Sequence, residues 1–325
     1  MFQNLLLIKR KYINLIMKNK FVLFILLITC LQSYGQNDYD WWNEAHNYDG
    51  YTHWTNYIIY SPYYLGPNAL SVPYSEKGKI KNQIELKTEF VSHYSSGDKT
   101  QNLFISLYVP IVKDKIAVEF YGVPFESYNM TYETIIERRV RYLDGKGKAN
   151  GDFYFSTIIQ LLKKEKLPEV ALRMACRTAS GNNLGSARYT DAPGYFFDVS
   201  LGKDFNFGND DAFLIRPHGM IGFYAWQMNL PDNKQNDAIL FGFGADFKYN
   251  SWFLNNSIEG YSGYFGEELV PVGDKENPIP FKDRPMLYRL DAGKELGWIR
   301  LSIGYQLALQ HFQYDNLKAS VTFLF

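Results

Sequence analysis

The sequence has almost no cysteine: 2 among 325 residues, Cys30 and Cys176. A disulfide-stapled scaffold is therefore excluded. It has no excess of one charge either, with 34 basic residues against 34 acidic. No long basic stretch is present, and binding of nucleic acid through charge is not expected. Beyond the first 35 residues no apolar run reaches the ~18 residues of a membrane-spanning helix. No segment after that point carries a helical period. The stretch LLKKEKLPEV at 161–170 is broken by Pro168 and reads as a turn. His46, His53, His218 and His311 are scattered without metal-ligand spacing. Neither a metal nor a cofactor is expected. What the sequence has in abundance is aromatic residues, at 17% of the chain. With 46% hydrophobic and 21% charged residues, it is not a disordered chain.

The first segment reads as an export signal. Residues 21–31 are FVLFILLITCL, preceded by Lys18 and Lys20 and followed by Ser33, Tyr34 and Gly35. A charged start, a short apolar core and a small-x-small exit form a cleavable signal peptide, with cleavage placed after Gly35. Met17 opens this pattern, so residues 1–16 read as an over-called start. The apolar run is too short for a membrane anchor, and Thr29 before Cys30 fits a lipoprotein site poorly. The signal holds five basic and no acidic residues. The remainder carries 29 basic residues against 34 acidic, a net charge of about −5, with Cys176 as its one cysteine.

The body alternates with period two, the mark of strands with two unlike faces. In residues 317–325 Leu317, Ala319, Val321, Phe323 and Phe325 alternate with Lys318, Ser320 and Thr322. In 299–310 Ile299, Leu301, Ile303, Tyr305, Leu307 and Leu309 alternate with Arg300, Ser302, Gly304, Gln306 and Gln310, and Tyr314-Asp315-Asn316 reads as the turn between. Ten similar segments precede these, beginning with 82–94. About twelve strands are expected between 82 and 325. Gly242 and Gly244 fall inside one of them, where small inward residues relieve crowding.

Alternation alone fits a soluble sandwich or a membrane barrel; the connectors separate them. Short ones (near 113–115, 163–169, 204–211, 250–251 and 294–297) alternate with long ones (131–150, 178–193, 229–236 and 265–285). Short turns at one end and long loops at the other are expected of outer-membrane barrels. Trp252, Tyr249, Tyr305, Phe155 and Trp298, near strand ends, suit interfacial girdles. The chain ends in an aromatic residue, Phe325, on an alternating strand that also carries Phe323. This ending resembles the C-terminal insertion signal of Gram-negative outer-membrane β-barrel proteins. The resemblance is close over the last nine residues and extends to the other strands in pattern. It implies contact with outer-membrane lipid and with the barrel-assembly machinery through that strand. The expected fold is all-β: a transmembrane, antiparallel, up-and-down β-barrel over residues 79–325, with both termini in the periplasm.

Residues 36–78 stand apart. They are rich in aromatics and broken by prolines, as in SPYYLGPNALSVP, and have no clean period. They are expected to plug the lumen or to cover the periplasmic mouth, since exposed they would form a sticky patch.

Parity turns one row of charged and polar residues inward: Glu85, Lys87, Glu89, Glu119, Arg173, Arg177, Asp198, Arg216, His218, Asp246, Lys248, Glu259, Arg289, Asp291, Arg300 and Lys318. Such rings set selectivity for a polar solute in an open pore, or pair with one another and close a narrow one. Arg173, Arg177, Arg216 and Arg289 are the anion-facing candidates. A second chemistry is suggested by His93-Tyr94-Ser95-Ser96-Gly97, because His93 and Ser95 share a face. The pair resembles that of outer-membrane phospholipases and lipid A deacylases, where a His takes the proton of a Ser nucleophile. Asn102 is the nearest third member. Yet His93 also shares its face with Glu85, Lys87 and Glu89, which point to the lumen, whereas those enzymes place the pair toward lipid. The Gly- and Asn-rich stretch 178–193 reads as a surface loop. It is no phosphate cradle, because no helix follows it. The leading functional reading is a passive channel or transport component for small polar solutes. The alternatives are a lipid hydrolase using His93 and Ser95, and a closed barrel serving as an anchor or assembly partner.

Overall fold

The computed structural model describes residues 39–208, 212–227, 235–264, 268–269, 272–273, 279–280 and 282–325. The signal-peptide reading lies outside the described residues. The chain divides into two units, Met1–Trp41 and Trp42–Phe325, and the second contains every strand among the described residues.

Twelve strands close into one ring. They are β1 (Glu85–Tyr94), β2 (Asp98–Val112), β3 (Ile116–Met130), β4 (Phe153–Leu162), β5 (Glu169–Arg177), β6 (Gly194–Gly202), β7 (Phe213–Gln227), β8 (Gln235–Tyr249), β9 (Trp252–Gly263), β10 (Met286–Leu296), β11 (Ile299–Gln310) and β12 (Asp315–Leu324). Each pairs antiparallel with its sequence neighbour. The last pairs with the first, in register from Glu85 opposite Leu324 to Tyr94 opposite Asp315. Closure leaves no unpaired edge, which is the condition for strands in lipid. Beyond the last strand, Phe325 and Ile84 exchange a further pair of main-chain hydrogen bonds at 3.0 and 3.2 Å.

The burial pattern is inverted relative to a soluble protein. β6 alternates without a break: Phe196, Asp198 and Ser200 are buried, whereas Tyr195, Phe197, Val199 and Leu201 are exposed. Around the ring the outward row is apolar and exposed, with Ile221 at 65% and Ile303 at 69%, while Arg173, Asp198 and Glu259 on the inward row are at 3% or less. Water would not tolerate that outer surface; lipid would.

The longest connections gather at one end. At the opposite end, here the turn end, lie the short links after β2, β4, β8 and β10, the somewhat longer link after β6, and Phe325. At the other, the loop end, lie the long links 131–152, 178–193 and 264–285, together with the short links 95–97 and 311–314. The first of these contains a helix, α1 (Tyr132–Glu137), where sequence periodicity showed none: six residues are too few to display a period. Thr131 caps it by accepting from the Thr134 amide. The same link adds a short strand, Lys146–Ala149, to β3.

Candidate functional site

The lumen is occupied by the chain's own N-terminal segment. Starting at the loop end, the Gly66 amide donates to the Ala187 carbonyl, and Asn68 donates to Asn102 and Glu126. The segment then descends, and wall side chains take hold of its main chain. Arg177 donates to the Ala69 carbonyl, Tyr261 to Leu70 at 2.8 Å, Arg289 to Val72 at 2.7 Å and Arg173 to Tyr74 at 2.6 Å. Arg216 donates twice to Lys77 at 2.9 and 3.1 Å, and Gln160 to Gly78 at 2.7 Å. In the other direction the Ser75, Gly78, Ile80 and Lys81 amides donate to Glu259, Ser200, Gln160 and Tyr108. The segment leaves at the turn end and enters β1. An extended chain without regular structure has main-chain groups to satisfy, and here the barrel wall satisfies them. Gly78 sits at φ +76, and a Cβ there would lie 2.5 Å from the Glu169 carbonyl; only glycine fits.

The four arginines expected to face an anion are thus committed elsewhere. Besides the carbonyls, Arg173 pairs with Asp198 and Glu76, Arg216 with Glu169 and Asp204, and Arg289 with Glu259. The other inward residues are placed as follows. Asp246 holds Lys77 at 2.7 Å and faces His218. Lys87 pairs with Glu89, Lys318 with Asp291, Lys248 with Glu295, and Arg300 with Glu85 and Glu295. Glu119 lines the cavity described below.

Above the segment, at the loop end, sits a charge cluster that the parity reading of the sequence missed. Asp98 Oδ2 accepts from Arg138 (2.9 Å), Arg188 (2.6 Å) and Tyr314 (2.6 Å). Glu126 accepts from Arg188 (2.7 Å), Tyr189 (2.8 Å) and Asn68 (2.7 Å). Arg188 also donates to Thr100, and Arg138 to Gln313. All four charged side chains are at 0–1% exposure. Arg188 belongs to the stretch 178–193, expected to be a surface loop. It folds inward instead, with Ser186, Arg188, Tyr189 and Thr190 all buried. Gly66 makes room, since a Cβ there would fall 2.8 Å from the Arg188 guanidinium.

Residues 42–66 lie on this same end. The Trp42 indole donates to the Arg139 carbonyl at 3.0 Å and packs on Tyr57. Asn47 donates to the Gly273 carbonyl, and Ser61 donates to Lys282. Trp42 therefore sits at the end opposite Phe325. Residues 67–81 pass through the barrel between these two positions.

His93 and Ser95 are not brought together. His93 Nε2 meets Asn102 Oδ1 at 2.7 Å. Asn102 Oδ1 also accepts from Asn68, so the His93 Nε2–H donates to it. Ser95 Oγ closes its own turn with Asp98. Among the described residues no metal-binding cluster occurs. Phe323 stacks on Trp298 with centroids 5.8 Å apart, and Phe325 is exposed.

Beside the segment a cavity of about 640 Å³ remains. Its lining runs from His93 and Asn102 near the loop end to Lys248 and Arg300 at the turn end. At the turn end Lys79, Lys81 and Lys248 are partly exposed, whereas the charged side chains around Asp98 at the other end are fully buried.

No family model and no curated protein matches the sequence. Solved structures do match in fold. An outer-membrane channel of Pseudomonas putida F1, described as COG4313, aligns over 78% of this chain and 100% of its own, with 12% identity and a TM-score of 0.50. The KdgM porin aligns over 74% and 99%, with 6% identity and a TM-score of 0.41. The transport unit of the Escherichia coli autotransporter AIDA-I aligns over 81% and 98%, with 9% identity and a TM-score of 0.47. The chain has the closed antiparallel barrel fold of outer-membrane proteins.

Proposed function

We propose that this protein is an outer-membrane channel component for small polar solutes whose lumen is closed by its own segment 67–81. The reading rests on one observation: Arg173, Arg177, Arg216 and Arg289 donate to the main chain of that segment. A solute path opens when the segment shifts. The inward arginines and carboxylates are then the polar groups a solute meets. In this reading the chain is exported by a signal peptide cleaved after Gly35. The turn end faces the periplasm, the apolar outer row meets lipid, and the strand ending in Phe323 and Phe325 engages the barrel-assembly machinery. The closed-barrel alternative, an anchor or assembly partner, is favoured by the fully buried and paired cluster around Asp98. Liposome swelling separates the two. Proteoliposomes of residues 36–325 are expected to admit a small sugar slowly, and those of an Arg173→Ala/Arg289→Ala variant several times faster. Equal, negligible rates from two folded, inserted proteins would leave the anchor reading.

A further inference from the structure

The N-terminal segment starts at the loop end and descends to the turn end, where β1 begins. In a barrel that spans a membrane, the two ends of this segment lie on opposite sides. We propose that the barrel is a conduit for an extended polypeptide, and that its cargo is its own N-terminal segment, delivered through the lumen so that residues 42–66 fold on the outer face. The inference rests on the reading above, in which the turn end faces the periplasm.

Three observations carry it. First, the hold on the thread is directed mainly at main-chain groups. Six carbonyls between Ala69 and Gly78 and four amides between Ser75 and Lys81 are bonded by wall side chains. Main-chain groups recur in every peptide, so outside the tight turn at Gly78 such a wall accepts an extended polypeptide with little regard to sequence. Second, residues 42–66 form a small folded cap. Trp42, Tyr48 and Tyr57 pack ring to ring, and Asp49 closes a turn onto Tyr51 and Thr52. A cap folded on the far side keeps the thread from sliding back. Third, the cap meets the loop-end links through the contacts of Trp42 and Ser61 and still presents Tyr51 at 96% exposure.

The test uses the full chain with Cys176 replaced by Ala, so that no native thiol of the mature protein reacts. Tyr51→Cys and, as a second cap position, Glu44→Cys report the cap; Lys113→Cys reports the turn end. Gram-negative cells expressing each variant are treated with a membrane-impermeant maleimide, intact or after the outer membrane is permeabilised. Labelling after permeabilisation confirms that each variant is present and reactive. The expected result is that both cap positions label in intact cells to nearly the permeabilised level, while Lys113→Cys labels only after permeabilisation. Cap and turn positions labelling together, in either condition, would overturn the crossing and leave the barrel reading intact. The reverse pattern would overturn the orientation and leave the crossing standing. A short polar epitope inserted after Gly50 tests the conduit itself. Its exposure on intact cells supports a wall that passes foreign sequence; its retention inside, with Tyr51→Cys still labelling outside, would restrict the lumen to the native thread.

Discussion

The two halves of the lumen use the same residue types to opposite ends. Around Asp98 and Glu126, two carboxylates and two arginines are fully buried, and each is held by several partners. At the turn end the pairs are looser. Lys79 with Asp204, Lys81 with Glu85 and Lys248 with Glu295 each have a lysine that is 44–49% exposed. Burying charge is costly and is offset only by near-complete pairing; pairs open to water contribute little. The first arrangement can act as a seal, the second as the rim of a vestibule. Charge in a lumen thus says little until its burial is known.

Breaking the seal should have the largest effect. Arg188→Met leaves Asp98 and Glu126 each short of a partner in a dry site. It should lower stability by about 3–5 kcal/mol, read as a lower denaturant midpoint for the refolded protein in detergent. It should also free the 178–193 link to proteolysis. Loosening the thread comes next. Arg289→Met removes the bonds to Val72 and Glu259 and should cost about 3 kcal/mol. Its signature is a rise in solute entry, which distinguishes it from a purely structural loss.

The cap supplies an intermediate effect that depends on pH. Burial, and then the charge of Arg139, depress the His46 imidazole to about 4. Between about pH 6.5 and 4 the released cap binds a proton that the docked cap does not, so docking weakens as pH falls through that window and levels off below it. Between pH 7.5 and 5 the change should be of order 2 kcal/mol. His46→Gln should abolish it, as measured by protease access to residues 42–66 at pH 7.5 and 5. The smallest effect belongs to the turn end: Lys79→Ala should stay within about 1 kcal/mol of the parent, and less at high salt. A loss there as large as that of Arg188→Met would erase the contrast between the halves.

The barrel was legible because period two survives whichever solvent lies outside. In β6 and β12 the alternation reads directly, and the long links gathered at one end, with Phe325, decide that the apolar face turns outward. The thread was not legible in detail. Residues 67–81 show no period because they are held chiefly through carbonyls and amides, which carry no sequence signature. Arg173 and Arg289 were found on the right face, yet their partners are main-chain atoms of a segment far away in sequence. Arg188 was missed because Gly- and Asn-rich surroundings read as a solvated loop. A signal did exist. Parity sets Asp98, Thr100 and Asn102 on one inward row, with Glu126 opposite Asn102, and no wall arginine in the neighbouring strands stood ready to neutralise them. A cation had to come from a link. The missed helix α1 followed from its length alone.

Single-channel recording of residues 36–325 in a planar bilayer tests the central claim that this lumen is closed by its own N-terminal thread. The parent should insert with little or no steady conductance, and Arg173→Ala/Arg289→Ala should open discrete, ion-conducting steps. A large steady conductance from the parent, unchanged in the double variant, would show that the thread does not close the pore and would contradict the account.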